Sequence, residues 1–338
     1  MQLSEGEREF SMLKVTIVGY RAQGSNHHAP SFARLSDCRI VAVCDIVEER
    51  ARAGAKRYGV PAYTNVDEML DTEEIDIVDI PVGEGYRYEL VMKCLRRGLH
   101  VFTEKPLAGA EGQYRIQLSD VPVAQEMIDE WEQHDIHFGI CFCLHASRNV
   151  QRVKQVIQSG QLGQLRQIQA RTALGSWNHI IDMVRFLSGE VQEVFAYADG
   201  EMGNKAACLQ FESGAVGTLA VSQDLGLQFQ IKWIGELGEA TIDNIAGIAF
   251  WHLHGSHDVM YWSDARQLDG GTYAAQFEDL IAEYVVSIKE GRPFVADGWA
   301  GLRHMEIDAA ITESIKTGKA VPIRRYMPDR GHTILTWT

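Results

Sequence analysis

The chain has 338 residues, 46% hydrophobic and 23% charged, the balance of a globular protein with enough apolar side chains for about two domains. Its formal net charge of -14 argues against general nucleic-acid binding, which needs a basic footprint, and no apolar run reaches the ~20 residues of a membrane span. Its six cysteines, most of them in apolar runs, predict buried free thiols and a reducing, cytoplasmic setting. Residues 1–12 are polar and acidic, lack a signal peptide's apolar centre, and are expected to form a disordered leader. From Leu13 to about Cys143, strands are predicted at KVTIVG, IVAVCD, IDIVDIP, HVFTE and HFGICF. Helices are predicted at VEERARAGAKRYG, NVDEMLD, RYELVMKCLRRG and VAQEMIDEWEQH. Val/Ile runs without polar alternation suit a parallel sheet covered on both faces, and the β/α order implies a doubly wound α/β domain over 13–143.

After Leu144 the pattern changes. The helix NVQRVKQVIQSG leads to the strand LRQIQART and the helix HIIDMVRFLSG. Strands follow at EVQEVFAYAD, AACLQF, AVGTLAVS, FQIKWIG and EATIDN, with a hairpin at FESGAVG, and two helices close the domain. This predicts an α+β domain over 144–323 with an open, mostly antiparallel sheet, then a tail over 324–338. An uncovered sheet face suits a homodimer or homotetramer.

The first strand ends in VGYRAQG. Gly19 and Gly24 stand where a dinucleotide fingerprint has its first and third glycines, and Arg21 occupies the second. Gly19, Tyr20, Arg21, Ala22, Gln23 and Gly24 are therefore candidate cofactor-loop residues. Arg21 is expected to border the pyrophosphate in place of a close backbone approach. Asp45, 21 residues after Gly24 at the end of the second strand, suits the two ribose hydroxyls of NAD better than the 2′-phosphate of NADP. The alternative for Asp45 is a plain strand-to-helix cap.

HVFTEKPLA is more specific. Lys105 lies at the carboxyl end of a parallel strand, where α/β ligand sites form, and Pro106 restricts its backbone. Here the chain resembles the glucose–fructose oxidoreductase, inositol dehydrogenase and rhizopine-catabolism (Gfo/Idh/MocA) family. The resemblance runs from about Leu13 to Ile323 and includes VAVCDIVEERARAGAKRYGVPAYTNVDEML, EIDIVDIP, VKQVIQSGQLGQLRQIQAR and the C-terminal FEDLIAEYVVSIKEGRPFVADGWAGLRHMEIDAAITESIKTGKAVPI. It implies a Rossmann domain, an open-sheet domain, and hydride transfer between a nicotinamide and a sugar, cyclitol or related polyol. It implies cofactor contacts from Ile80, Pro81, Glu104 and Lys105, with Lys105 also holding the substrate hydroxyl and relaying its proton.

The family's second signature is an aspartate four residues before a histidine. GSWNHIIDMVRFL supplies His179 as the second catalytic candidate and Asp182 as the later acid, but Gly175 stands at the aspartate position. Asn178 is expected as a helix N-cap. Asp182, His145, Trp177 and Asn178 are expected to shape the substrate pocket. For His179 and His145 the alternative is packing at the domain boundary. Arg87 occupies a usual histidine position, and 109–118 reads as an insertion, either a lid carrying Tyr114 and Arg115 or plain loop variation. No metal site is expected: Cys141-Phe-Cys143 reads as packed thiols, and His252, His254 and His257 as a polar edge. Two rivals remain: a non-catalytic dinucleotide sensor of the same fold, motivated by Gly175, and a lyase or hydrolase that uses NAD transiently.

Overall fold

The computed structural model describes residues 12–326 apart from 201–202, 225, 227, 244 and 268–272. The expected leader, Met12 excepted, and the tail beyond 326 lie outside the described residues.

The first sheet is built from β1 (Leu13–Val18), β2 (Cys38–Cys44), β3 (Ala62–Tyr63), β4 (Ile77–Ile80), β5 (His100–Thr103) and β6 (Phe138–Ile140). All its pairings are parallel, in the order β3-β2-β1-β4-β5-β6. Val15, Ile17, Val78, Ile80, Val101 and Phe102 are buried, as strands covered on both faces must be. The strand order reverses between β1 and β4, and the crevice outside their carboxyl ends is where such sheets bind ligands. The helices are α1 (Ala29–Arg34), α2 (Glu48–Tyr58), α3 (Val66–Thr72), α4 (Glu84–Leu95) and α5 (Val121–Trp131).

Neither β3 nor α1 was foreseen, nor was the turn that leads into α1. A widened, π-type turn over Gly24–His28 runs directly into α1. Pro30 has no N–H to return to the carbonyl four residues back, and a widened turn accommodates it. That turn carries His28 into the core, where it is fully buried.

The second half contains α6 (Arg148–Gln158), β7 (Leu165–Ala173), α7 (Trp177–Ser188), β8 (Val191–Ala198), β9 (Asn204–Phe211), β10 (Val216–Ser222), β11 (Phe229–Gly235), β12 (Gly238–Asp243), β13 (Ile248–Leu253), β14 (Met260–Ser263), α8 (Tyr273–Glu290), α9 (Gly298–Thr317) and β15 (Val321–Pro322). Its nine strands lie in the order β14-β13-β12-β11-β7-β10-β9-β8-β15, antiparallel except for β7 with β10. Buried and exposed residues alternate along β9 and β10, so one face packs on helices and the other is open. Tyr197 and Val216 stand on the open face, 66% and 54% exposed. Helix α9 packs on α5 and β6 of the first half and on α7 and β8 of the second, joining the two cores.

Candidate active site

At the end of β1 the backbone turns through Gly19 at φ +105°, and a side chain there would meet Val82 Cγ1 at 2.7 Å. A Cβ on Gly24 would stand 2.1 Å from the Gly19 carbonyl oxygen. Both positions therefore require glycine, as a tight dinucleotide turn does. Pro81 walls the turn, its ring 3.1 Å from that Gly24 Cβ position, and Ile80 is buried at the end of β4. Arg21 and Ala22 are exposed on the turn and Gln23 is half-buried. Tyr20 contributes only backbone to this surface, since its ring packs edge-on to Tyr58 and against Gly54.

Asp45 is more committed than its position in the sequence suggests. It accepts hydrogen bonds from the N–H of Tyr20 (2.8 Å) and of Val47 (2.9 Å) and is gripped by Arg50, with Nε at 3.0 Å and Nη2 at 2.8 Å. Burial opposes ionisation, but Arg50 and the two backbone donors outweigh it and hold the carboxyl below its ordinary range. It remains an acceptor at the end of β2, but a charge-neutralised one. Arg50, five residues on from Asp45, was not singled out from the sequence.

Beneath the turn lies an ion cluster that sequence reading missed. His28 bridges Asp79 (Nδ1 to Oδ1, 2.8 Å) and Glu104 (Nε2 to Oε1, 3.2 Å). Burial works against a charged ring, but the two carboxylates prevail and raise His28 to about 10. Burial would likewise raise Glu104, yet Lys105, His28 and Arg87 bring it down to about 2. Arg87 is buried and donates to the Val82 carbonyl, while its Nε and Nη1 have no partner. Burial lowers its guanidinium to about 10. Glu104, expected as a cofactor contact, is 7% exposed and faces His28 and Lys105. Cys141 Sγ joins His28 and Glu104 in a group whose ligand-type atoms lie within 4.8 Å of one another. The protonated imidazole already supplies the positive charge there, and burial followed by Glu104 holds the thiol well above its ordinary value.

Lys105 follows β5, joined to Pro106 by a cis peptide bond. Its side chain is 12% exposed, with Nζ 3.9 Å from Glu104 Oε2. His179 lies in the first turn of α7, 6% exposed, with Nδ1 unpartnered. Burial first, then the charge of Lys105, lowers its imidazole to about 3, so the ring is neutral. Asn178 does not cap α7: the helix begins at Trp177, and the Asn178 amide is buried with neither polar atom bonded. Gly175 is exposed, and a Cβ added to it would meet nothing within 4 Å.

Three of the expected pocket residues are buried and bonded within the protein. His145 is fully buried, held by Asp182 (Nε2 to Oδ2, 2.5 Å) and the Val295 carbonyl (3.2 Å), and its ring stacks on Phe142 and Phe186. Both of its nitrogens are spent, so it braces the domain boundary, and Asp182 is occupied with it through one oxygen. Trp177 is fully buried and donates to Asp308 Oδ1 at 2.9 Å, which makes it core as well as wall. The Cys141-Phe-Cys143 stretch lies beyond β6 rather than within it, and Cys143 faces Gln276. His252 pairs with Glu239 and His254 with the Gly235 carbonyl, as a polar sheet edge requires. The insertion docks on the second domain: Lys205 donates to the Tyr114 carbonyl and Lys316 to the Gln117 side chain.

Two family models match the chain. One, described as an oxidoreductase family with NAD-binding Rossmann fold, covers 13–129; the other, that family's C-terminal alpha/beta domain, covers 171–323. A myo-inositol 2-dehydrogenase of Thermotoga maritima is 23% identical over 93% of this chain and 100% of its own length. A D-glucoside 3-dehydrogenase of Escherichia coli is 23% identical over 93% of this chain and 98% of its own. Among solved structures, a levoglucosan dehydrogenase in complex with NADH and L-sorbose superposes with a TM-score of 0.81 at 18% identity, covering 94% of this chain and 100% of that one.

Proposed function

Because this chain belongs to the Gfo/Idh/MocA family of NAD-binding oxidoreductases, we propose that it oxidises a carbinol of a sugar, cyclitol or related polyol at Lys105. The supporting observation is the set of unmet polar atoms at the start of α7, where His179 feels the charge of Lys105. Asn178 Oδ1 and Nδ2 and His179 Nδ1 are buried without partners. Such atoms are costly unless a ligand satisfies them, and a polyol presents hydroxyls that both donate and accept. The turn at Gly19 and Gly24 fits a dinucleotide, and Gly19 to Gly24, Ile80, Pro81 and Asp45 would hold it. When bound, NAD supplies the hydride acceptor.

The protein's own residues divide the remaining work. The Lys105 ammonium, fixed by the Glu104 carboxylate, holds the reacting oxygen and stabilises charge on it. The neutral His179 ring offers its free Nδ1 to the hydroxyl proton. His28 and Asp79 lock Glu104 from behind. We assign 13–143 to cofactor binding, 144–323 to substrate binding and oligomerisation, and the open sheet face to a homodimer or homotetramer contact.

The experiment is NADH formation by wild type and Lys105→Ala against myo-inositol, methyl glucoside and levoglucosan, with NADH binding measured in both. Turnover by wild type, reduced roughly 100- to 10,000-fold in Lys105→Ala with NADH binding retained, is expected. NADH binding by wild type without turnover of any polyol favours the sensor that Gly175 motivates.

A further inference from the structure

Helix α9 carries an unusual row of polar side chains. His304, Asp308 and Thr312 are spaced four apart, so they share one face. They are 0%, 0% and 1% exposed. Asp308 accepts the Trp177 indole N–H, which fixes that face towards the start of α7. Both ring nitrogens of His304 are unpartnered, as are Asp308 Oδ2 and Thr312 Oγ1. Asn178 and His179, which follow Trp177 in α7, also carry unpartnered buried atoms. His304 also feels the charge of Lys105, and His179 feels both Lys105 and His304, so the three share one electrostatic neighbourhood. The His304 ring centroid is 5.5 Å from that of Phe142, which precedes Cys143 on the strand-end segment after β6.

A neutral imidazole has one donor and one acceptor nitrogen, and leaving both unmet in a dry core is disfavoured. The His304 ring with both nitrogens unmet, together with the unmet Nδ1 of His179, defines a place where a molecule rich in hydroxyls is expected. The family's motif would put a carboxylate at 175, where this chain has Gly175.

We propose that His304 is a substrate-binding residue: a ring nitrogen hydrogen-bonds a second hydroxyl of a vicinal polyol, neighbouring the one held at Lys105. His304 thereby takes over the orienting part of the carboxylate absent at Gly175. The inference rests on the polyol oxidoreductase reading, and it makes a vicinal diol, rather than an isolated alcohol, the preferred substrate class. The group is fixed to the helix that joins the two cores, so it positions the diol against a rigid frame.

The test uses the full chain, NAD, and methyl glucoside with its 2-, 3- and 4-deoxy analogues. His304→Leu removes the hydrogen bond; His304→Gln retains a donor and an acceptor. NADH binding and thermal melting monitor folding in both variants. The expected result is a fall of roughly 10- to 100-fold in kcat/KM for His304→Leu, carried mainly by KM, with partial recovery in His304→Gln. One deoxy analogue, penalised in wild type, should suffer no further penalty in His304→Leu, because the lost hydroxyl and the lost imidazole are partners. An active wild type with unchanged kcat/KM in His304→Leu, or equal further loss on all analogues, overturns this inference alone. A wild type that binds NADH but turns over no polyol overturns the oxidoreductase reading, and this inference with it.

Discussion

His28→Ala would leave Asp79 and Glu104 buried with their shared cation gone. Breaking a buried, hydrogen-bonded ion cluster in this way costs about 3–5 kcal/mol, measurable by denaturant unfolding at neutral pH. The pH dependence has a definite sign. The folded pKa of His28, about 10, lies above its ordinary 6.5. Its contribution is therefore complete below 6.5 and is lost as pH rises towards 10. Unfolding titrations should show wild type losing its advantage over His28→Ala across that window; parallel curves would contradict the cluster. At the cofactor turn, Arg21→Gly should change NADH affinity more than loss of a remote exposed arginine such as Arg52. Lys105 and His179 were legible in the sequence because short motifs fix their places on a strand end and a helix start. His28, Arg50 and His304 were not, since each gains its meaning from partners brought near by folding.

The start of α7 decides how His179 works. Burial and Lys105 hold its imidazole down to about 3, so wild type should show no acid limb from His179 near neutrality in kcat/KM. Gly175 lies one helical turn before it and has open space around it, so Gly175→Asp should fold normally. A carboxylate there favours the imidazolium, and the acid limb should move to higher pH; a pH–rate profile checks this. Most strands and most helices were readable from hydrophobic period and glycine punctuation, to within a few residues at their ends, but β3, β14 and β15 were not. The π-type turn before α1 was not, because it answers to Pro30 and to the packing of His28. The N-cap expected at Asn178 failed because the helix starts two residues earlier, at Trp177, which leaves the buried amide without a partner.

The whole molecule joins a dinucleotide crevice to an open sheet through α9. The Rossmann strand order and the mostly antiparallel second sheet followed from the sequence, because parallel and half-covered strands carry different burial patterns. Which residues meet across the domain boundary did not follow, and there the His145 ring stacks on Phe142. If the open face is the oligomer contact, Tyr197→Asp should shift the protein towards monomer in sedimentation experiments. An unchanged distribution would place the contact elsewhere.

Direct hydride transfer at Lys105 is the central claim, and single turnover with a carbinol-deuterated polyol tests it most directly. Deuterium is expected at C4 of the nicotinamide in NADH formed by wild type, and its transfer by Lys105→Ala at the same NAD occupancy is expected to be slower by roughly 100- to 10,000-fold. Product formed with unlabelled NAD recovered, or NADH bound with no label transferred, would contradict it.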